Sequence, residues 1–188
     1  MKIFITGGCK SGKSTLAQKL AVKMRPAGSP LYYIATMAPV DEEDLERIAR
    51  HRRERAGLGF ETVEAPADIL PILIGCEKSG FFLFDSVTAL LANEMFGRDG
   101  SVISDAYNKV IREMDGLLDS VDNIAVVSDY IHSDACLYGD ITEAYRFGLA
   151  GLHRRLAQTC DAVVETCFGS FTIHKGPTSF RDIIHAVL

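Results

Sequence analysis

Three observations predict an α/β fold built on a mostly parallel sheet with helices on both faces. Strand-like and helix-like segments alternate along the whole chain. Several strand-like segments are uninterrupted apolar runs, such as Phe81-Phe82-Leu83-Phe84. That pattern suits strands covered on both faces. The first run, Ile3-Phe4-Ile5, leads straight into a glycine-rich turn and an amphipathic segment.

In order, the strands are expected at Lys2–Thr6, Leu31–Ala35, Phe60–Glu64, Phe81–Asp85, Asn123–Ser128, Ala162–Thr166 and Ser170–His174. The helices are expected at Gly12–Met24, Asp41–Arg55, Ala67–Ile74, Ser86–Met95, Ser104–Ser120, Thr142–Thr159 and Ser179–Val187. The apolar stripe Ile103, Tyr107, Val110, Ile111, Met114 and Leu118 supports the fifth of these helices. Pro26–Pro30 and Gly97–Gly100 carry the breakers of loops. With 188 residues, and neither an internal repeat nor an interdomain linker, residues 1–188 read as a single domain.

The composition is that of an ordinary globular protein, 47% hydrophobic and 24% charged. A net charge of −5 argues against a general nucleic-acid binder. The five cysteines, Cys9, Cys76, Cys136, Cys160 and Cys167, include no Cys-x-x-Cys pair. Zinc ligation and a disulfide framework are therefore not expected, and a reducing cytoplasm fits. No signal-peptide pattern opens the chain. Its most apolar stretch, Phe81 to Phe96, is too short to span a bilayer and holds Asp85, Asn93 and Glu94.

Gly7-Gly8-Cys9-Lys10-Ser11-Gly12-Lys13-Ser14 is the phosphate-binding loop pattern, placed where the first strand should end. It narrows the fold to a three-layer P-loop nucleotide-binding type. Gly7, Gly8 and Gly12 let backbone N–H groups turn toward an anion. The helix that follows adds its positive end. Lys13 is expected to reach the β- and γ-phosphates of ATP or GTP, and the Ser14 hydroxyl to hold Mg²⁺. Cys9, Lys10 and Ser11 fill the variable part of the cradle, and Thr15 closes it. Cys9 reads as a passive loop residue.

Asp85 ends an apolar strand, the place where phosphate-loop enzymes set a carboxylate near Mg²⁺. An Asp after a strand also serves as a plain helix cap, so the loop upstream is what favours the metal role. A third candidate is the helix Asp41–Arg55, acidic at its start and basic at its end. Dipole compensation on a solvated helix accounts for much of that sorting. Yet Arg47, His51 and Arg55 share one face, while Leu45, Ile48 and Ala49 form a separate stripe for docking. Flanking guanidiniums favour a neutral, nucleophilic imidazole and would hold a phosphate. A histidine that attacks an α-phosphorus needs that setting.

The order of motifs resembles the bifunctional adenosylcobinamide kinase/adenosylcobinamide-phosphate guanylyltransferase family of cobalamin synthesis. The matching pieces are Thr6 to Ser14, Tyr33-Ile34-Ala35-Thr36, Arg47-Ile48 with His51 and Arg55, Phe60-Glu61-Thr62-Val63-Glu64, and Asp85 with Leu90-Leu91-Ala92-Asn93. The resemblance implies a nucleotide kinase with an added guanylyl transfer. By it, His51 would be the guanylylated histidine. Ala35, Thr36, Met37, Arg52, Arg53, Glu54, Arg55, Glu64 and Asp85 would border the guanine nucleotide. Adenosylcobinamide, a corrinoid, would be the acceptor, and the chain would form a homo-oligomer, a trimer. The second half departs from the family pattern: the run after the fifth strand reads Ser128-Asp129-Tyr130-Ile131-His132, and only Tyr145-Arg146 and Arg154-Arg155 survive downstream; in the first half, Arg55 is followed by Ala56 instead of proline. A divergent P-loop kinase for another small molecule, a kinase-only member, or a non-catalytic nucleotide-binding regulatory module stay open as alternatives. Asp129, His132 and His153 read as structural or surface residues.

Overall fold

The computed structural model describes residues 1–97, 101–132 and 134–187; within these, the side chains of Arg47 and Glu54 are not described, so the expectations placed on those two side chains and on residues 98–100 lie outside it. Among the described residues, seven strands form one sheet: β1 (Lys2–Gly7), β2 (Leu31–Ala35), β3 (Phe60–Glu64), β4 (Phe81–Asp85), β5 (Asn123–Asp129), β6 (Ala162–Cys167) and β7 (Ser170–Lys175). Their order is β3-β2-β4-β5-β1-β6-β7. All neighbours are parallel except the β6–β7 pair. One edge therefore collects Gly7, Ala35, Glu64, Asp85, Asp129 and Cys167, the last residues of the six parallel strands. In open α/β sheets that carboxyl edge is where ligands bind.

Among the described residues, six α-helices accompany the sheet: α1 (Lys13–Met24), α2 (Glu42–Arg55), α3 (Val87–Met95), α4 (Ala106–Ser120), α5 (Asp140–Thr159) and α6 (Thr178–Ala186). Alternate strand residues feed two cores. Phe4, Tyr32, Ile34, Phe82, Phe84, Ile124 and Val126 face α3, α4 and α5. Ile3, Ile5, Tyr33, Phe81, Leu83, Ala125 and Val127 face α1 and α6. Since both faces are covered, the strands carry apolar residues without alternation. Truncating a buried phenylalanine such as Phe84 to alanine would cost about 3–5 kcal/mol.

Three local expectations need correction. The helix expected at Ala67–Ile74 is a short 3-10 piece, Pro71–Gly75. Asp68 takes a left-handed φ of 49°, which breaks a helix, and Pro71 starts the piece with its fixed φ. Ile103 lies before α4, on the surface, so the α4 stripe begins at Ala106. The stripe on α2 does not dock: Leu45 and Ala49 are exposed and Ile48 is half-buried. So few apolar side chains bury too little surface to seat a charged helix. Among the described residues, no helix is long and apolar enough to cross a membrane.

Candidate functional site

The loop between β1 and α1 is fixed from below. A side chain at Gly7 would collide with the backbone carbonyl of Thr166 on neighbouring β6, so only glycine fits. Ser11 Oγ lies 2.6 Å from Thr166 Oγ1, tying the middle of the loop to the same residue. Gly12 takes a left-handed φ of 94° and starts α1 at Lys13. Cys9 and Lys10 are exposed on the outer turn, Thr15 is exposed, and Ser14 is half-buried in the first turn of α1.

Lys13 is buried, and its ammonium is held at two points. It donates to the Gly8 carbonyl at 2.7 Å and pairs with Asp129 Oδ1 at 2.7 Å. Asp129 therefore belongs to the site and is not a bystander. It ends β5, the strand next to β1, and stands in register with Gly7. Its backbone N–H donates to Thr88 Oγ1 at 2.7 Å, and the next N–H, of Tyr130, donates to the Gly7 carbonyl at 2.8 Å. The sequence held a signal for it: an acid one residue past the apolar run Ile124-Ala125-Val126-Val127, near the strand end as Asp85 is after Phe84.

Behind Asp129 runs a buried polar chain. Thr88 Oγ1 lies 3.0 Å from Ser128 Oγ, Ser128 Oγ 2.7 Å from His153 Nε2, and His153 Nδ1 3.0 Å from His132 Nε2. Burial, with the His132 charge second, pushes His153 down to about 3. Burial and then Arg146 and Arg154 lower His132. Burial, helped by the Asp129 charge, pushes the Tyr145 hydroxyl up to about 12, and that hydroxyl donates to the Thr88 carbonyl at 2.9 Å. His132 and His153 thus support the loop from within; neither is simply a surface residue.

Asp85 ends β4, one strand beyond β5, half-buried on the same edge. The Tyr33 hydroxyl of β2 donates to its Oδ2 at 2.8 Å, on the side away from the phosphate loop. Ser14 and Asp85 offer only oxygen ligands, a pair that suits Mg²⁺. The residues between β2 and α2 divide. Ala35 and Met37 are half-buried at the edge, whereas Thr36 is buried. The Thr36 hydroxyl accepts from Ser86 N–H at 2.6 Å and donates to the Ser86 carbonyl at 2.8 Å, strapping β2 to β4.

The helix α2 is held at its C-terminal turn. The Arg55 guanidinium is buried, with its central carbon 3.5 Å from the centroid of the Tyr33 ring. Arg52 pairs with Glu64 at the end of β3, while Arg53 is exposed. His51, one turn before Arg55, is half-buried. Because Glu64 closes a parallel strand, this end of α2 lies at the same carboxyl edge as the phosphate loop. The two are not side by side. Three strand spacings separate β2 from β1, about 14 Å at the usual interval.

The family model for cobinamide kinase / cobinamide phosphate guanyltransferase matches residues 3–172. The chain belongs to this family. Motifs carry the resemblance only as far as Asn93, so the match shows that membership extends through the divergent second half. A relative, the bifunctional adenosylcobalamin biosynthesis protein CobP of Pseudomonas aeruginosa, is 31% identical over 170 residues, 90% of this chain and 94% of the relative. Among solved structures, a KaiC-like protein from Pyrococcus horikoshii superposes with a TM-score of 0.51 at 13% identity, over 94% of this chain and 79% of its own. That likeness shows a shared α/β P-loop fold. The flagellar accessory protein FlaH of Methanocaldococcus jannaschii gives a TM-score of 0.48 at 15% identity, over 95% of this chain and 79% of its own.

Proposed function

We propose that the protein is a cobalamin-biosynthesis enzyme with two activities. As a kinase it moves a γ-phosphoryl group from ATP or GTP to the aminopropanol hydroxyl of adenosylcobinamide. As a transferase it passes GMP from GTP, by way of His51, to the phosphorylated corrinoid. One observation carries the reading: the carboxyl edge that holds the fixed phosphate loop also holds the half-buried His51, on a helix anchored by Arg52 and Arg55.

In the first reaction the loop N–H groups and Lys13 hold the triphosphate in line with the acceptor and offset its charge. Ser14, with Asp85, would hold Mg²⁺, whose charge neutralises the phosphate oxygens when bound. In the second, the His51 imidazole uses its lone pair on the α-phosphorus and pyrophosphate departs. Arg52 and Arg55, on the same helix, would meet the phosphate charge. The phosphate of the corrinoid then displaces His51 and takes the GMP. The homotrimer is part of this reading, and light scattering on the purified protein tests it.

The test supplies the full chain with adenosylcobinamide, GTP and Mg²⁺. Both the phosphorylated and the GDP-linked corrinoid should form. Phosphorylated product alone would reduce the protein to a kinase, and tight nucleotide binding with neither product would favour the regulatory module.

A further inference from the structure

We infer that Asp129 is the proton acceptor of the phosphoryl-transfer step, a role that rests on the kinase reading above. The argument starts from position. Lys13 is the residue that the loop pattern directs to the β- and γ-phosphates. Asp129 Oδ1 sits 2.7 Å from its ammonium, so this carboxylate borders the place where the transferred group and the acceptor must meet. Its side chain is 25% exposed, open enough to meet a substrate.

Its aim is set by the backbone. Register with Gly7, the N–H bond to Thr88 and the Tyr130 N–H bond to Gly7 fix the Asp129 main chain against the loop. Ser128 and His153 hold Thr88 in turn. Asp85, the next acid along this edge, is one strand farther and is drawn toward β2 by Tyr33. Of the two, Asp129 is the one held against the loop. A carboxylate offers acceptor oxygens, which is what the acceptor hydroxyl requires.

The step balances. The hydroxyl oxygen of the acceptor bonds to the γ-phosphorus. The bond from that phosphorus to the bridging oxygen breaks, and its electron pair leaves with the nucleoside diphosphate. The hydroxyl proton passes to Asp129, which releases it to water after the product departs.

The experiment compares wild-type protein with Asp129→Asn and Asp129→Ala, using adenosylcobinamide, ATP and Mg²⁺, with a thermal melt of each variant to verify folding. In Asp129→Asn, kcat should fall by about 10²–10³-fold. Its KM for ATP should stay within about threefold. Wild-type kcat in folded Asp129→Asn would overturn the inference. Tighter ATP binding with unchanged or faster turnover would also overturn it, since Asp129 would then be a latch on Lys13. An equal loss of ATP affinity and kcat would assign it to loop architecture instead. A wild-type protein that binds ATP but phosphorylates no cobinamide would sink the kinase reading, and this inference with it.

Discussion

The phosphate loop and the α2 helix are held by different kinds of force. The loop is locked by short-range geometry: Gly7 against Thr166, Ser11 on Thr166, Lys13 on Gly8 and Asp129. Its support continues inward through Thr88, Ser128 and His153. Among the described contacts, the α2 helix has a thin apolar face, a stacked guanidinium and an exposed ion pair. Exposed ion pairs contribute little, so the Arg55 stack is its main anchor. The difference teaches that one edge can carry a rigid loop and, three strands away, a lightly moored helix. Local opening is easiest where few groups are buried.

Variants can break that contrast. Lys13→Ala should reduce phosphoryl transfer by about 10³-fold, the scale expected for a donor aimed at developing charge. A steady-state kinase assay within tenfold of wild type would show that the lysine is not aimed at the phosphates. Gly7→Ala should destabilise the protein by about 1–3 kcal/mol through overpacking against Thr166, read as a lower denaturation midpoint together with weaker nucleotide binding.

His153 sharpens the rigid half through pH. The unfolded chain binds a proton on this imidazole below its ordinary 6.5, whereas the folded chain does so only near 3. The unfolded state therefore binds more protons between those values, and stability falls as pH drops through that window. The loss is about 1.4 kcal/mol per pH unit at most. His153→Gln should flatten this slope in urea titrations from pH 6.5 to 4; an unchanged slope would place the acid sensitivity elsewhere. The smallest effect belongs to the moored helix. Arg55→Ala should lose about 1 kcal/mol of stacking on Tyr33. Proteolysis near residues 42–55 should then speed up by about fivefold, if cleavage follows the open population. An unchanged cleavage rate would mean that α2 is held by something other than this stack.

The sheet was legible because its signals are local. β2, β3 and β4 have the limits that their apolar runs and flanking breakers predict, and the phosphate loop announces itself by spacing. Strand order was not legible, since nothing in a run of apolar residues names its neighbour. That order puts β5 between β1 and β4, and so brings Asp129 to Lys13 across more than a hundred residues of chain. The same blindness hid the His153 chain, which joins α3, β5 and α5. On α2, residue spacing put His51 and Arg55 on one face, but only the Tyr33 ring shows what Arg55 rests on. The supposed docking stripe failed because periodicity reports a face, and says nothing of whether anything covers it.

The central claim is that His51 carries the nucleotidyl group while Lys13 serves the phosphates. Incubating the full chain with α-labelled GTP and Mg²⁺, then mapping the label, tests it most directly. The account predicts an acid-labile, base-stable label on the peptide that contains His51, absent from His51→Ala. No label on the wild-type chain, or label that persists in His51→Ala, would contradict it.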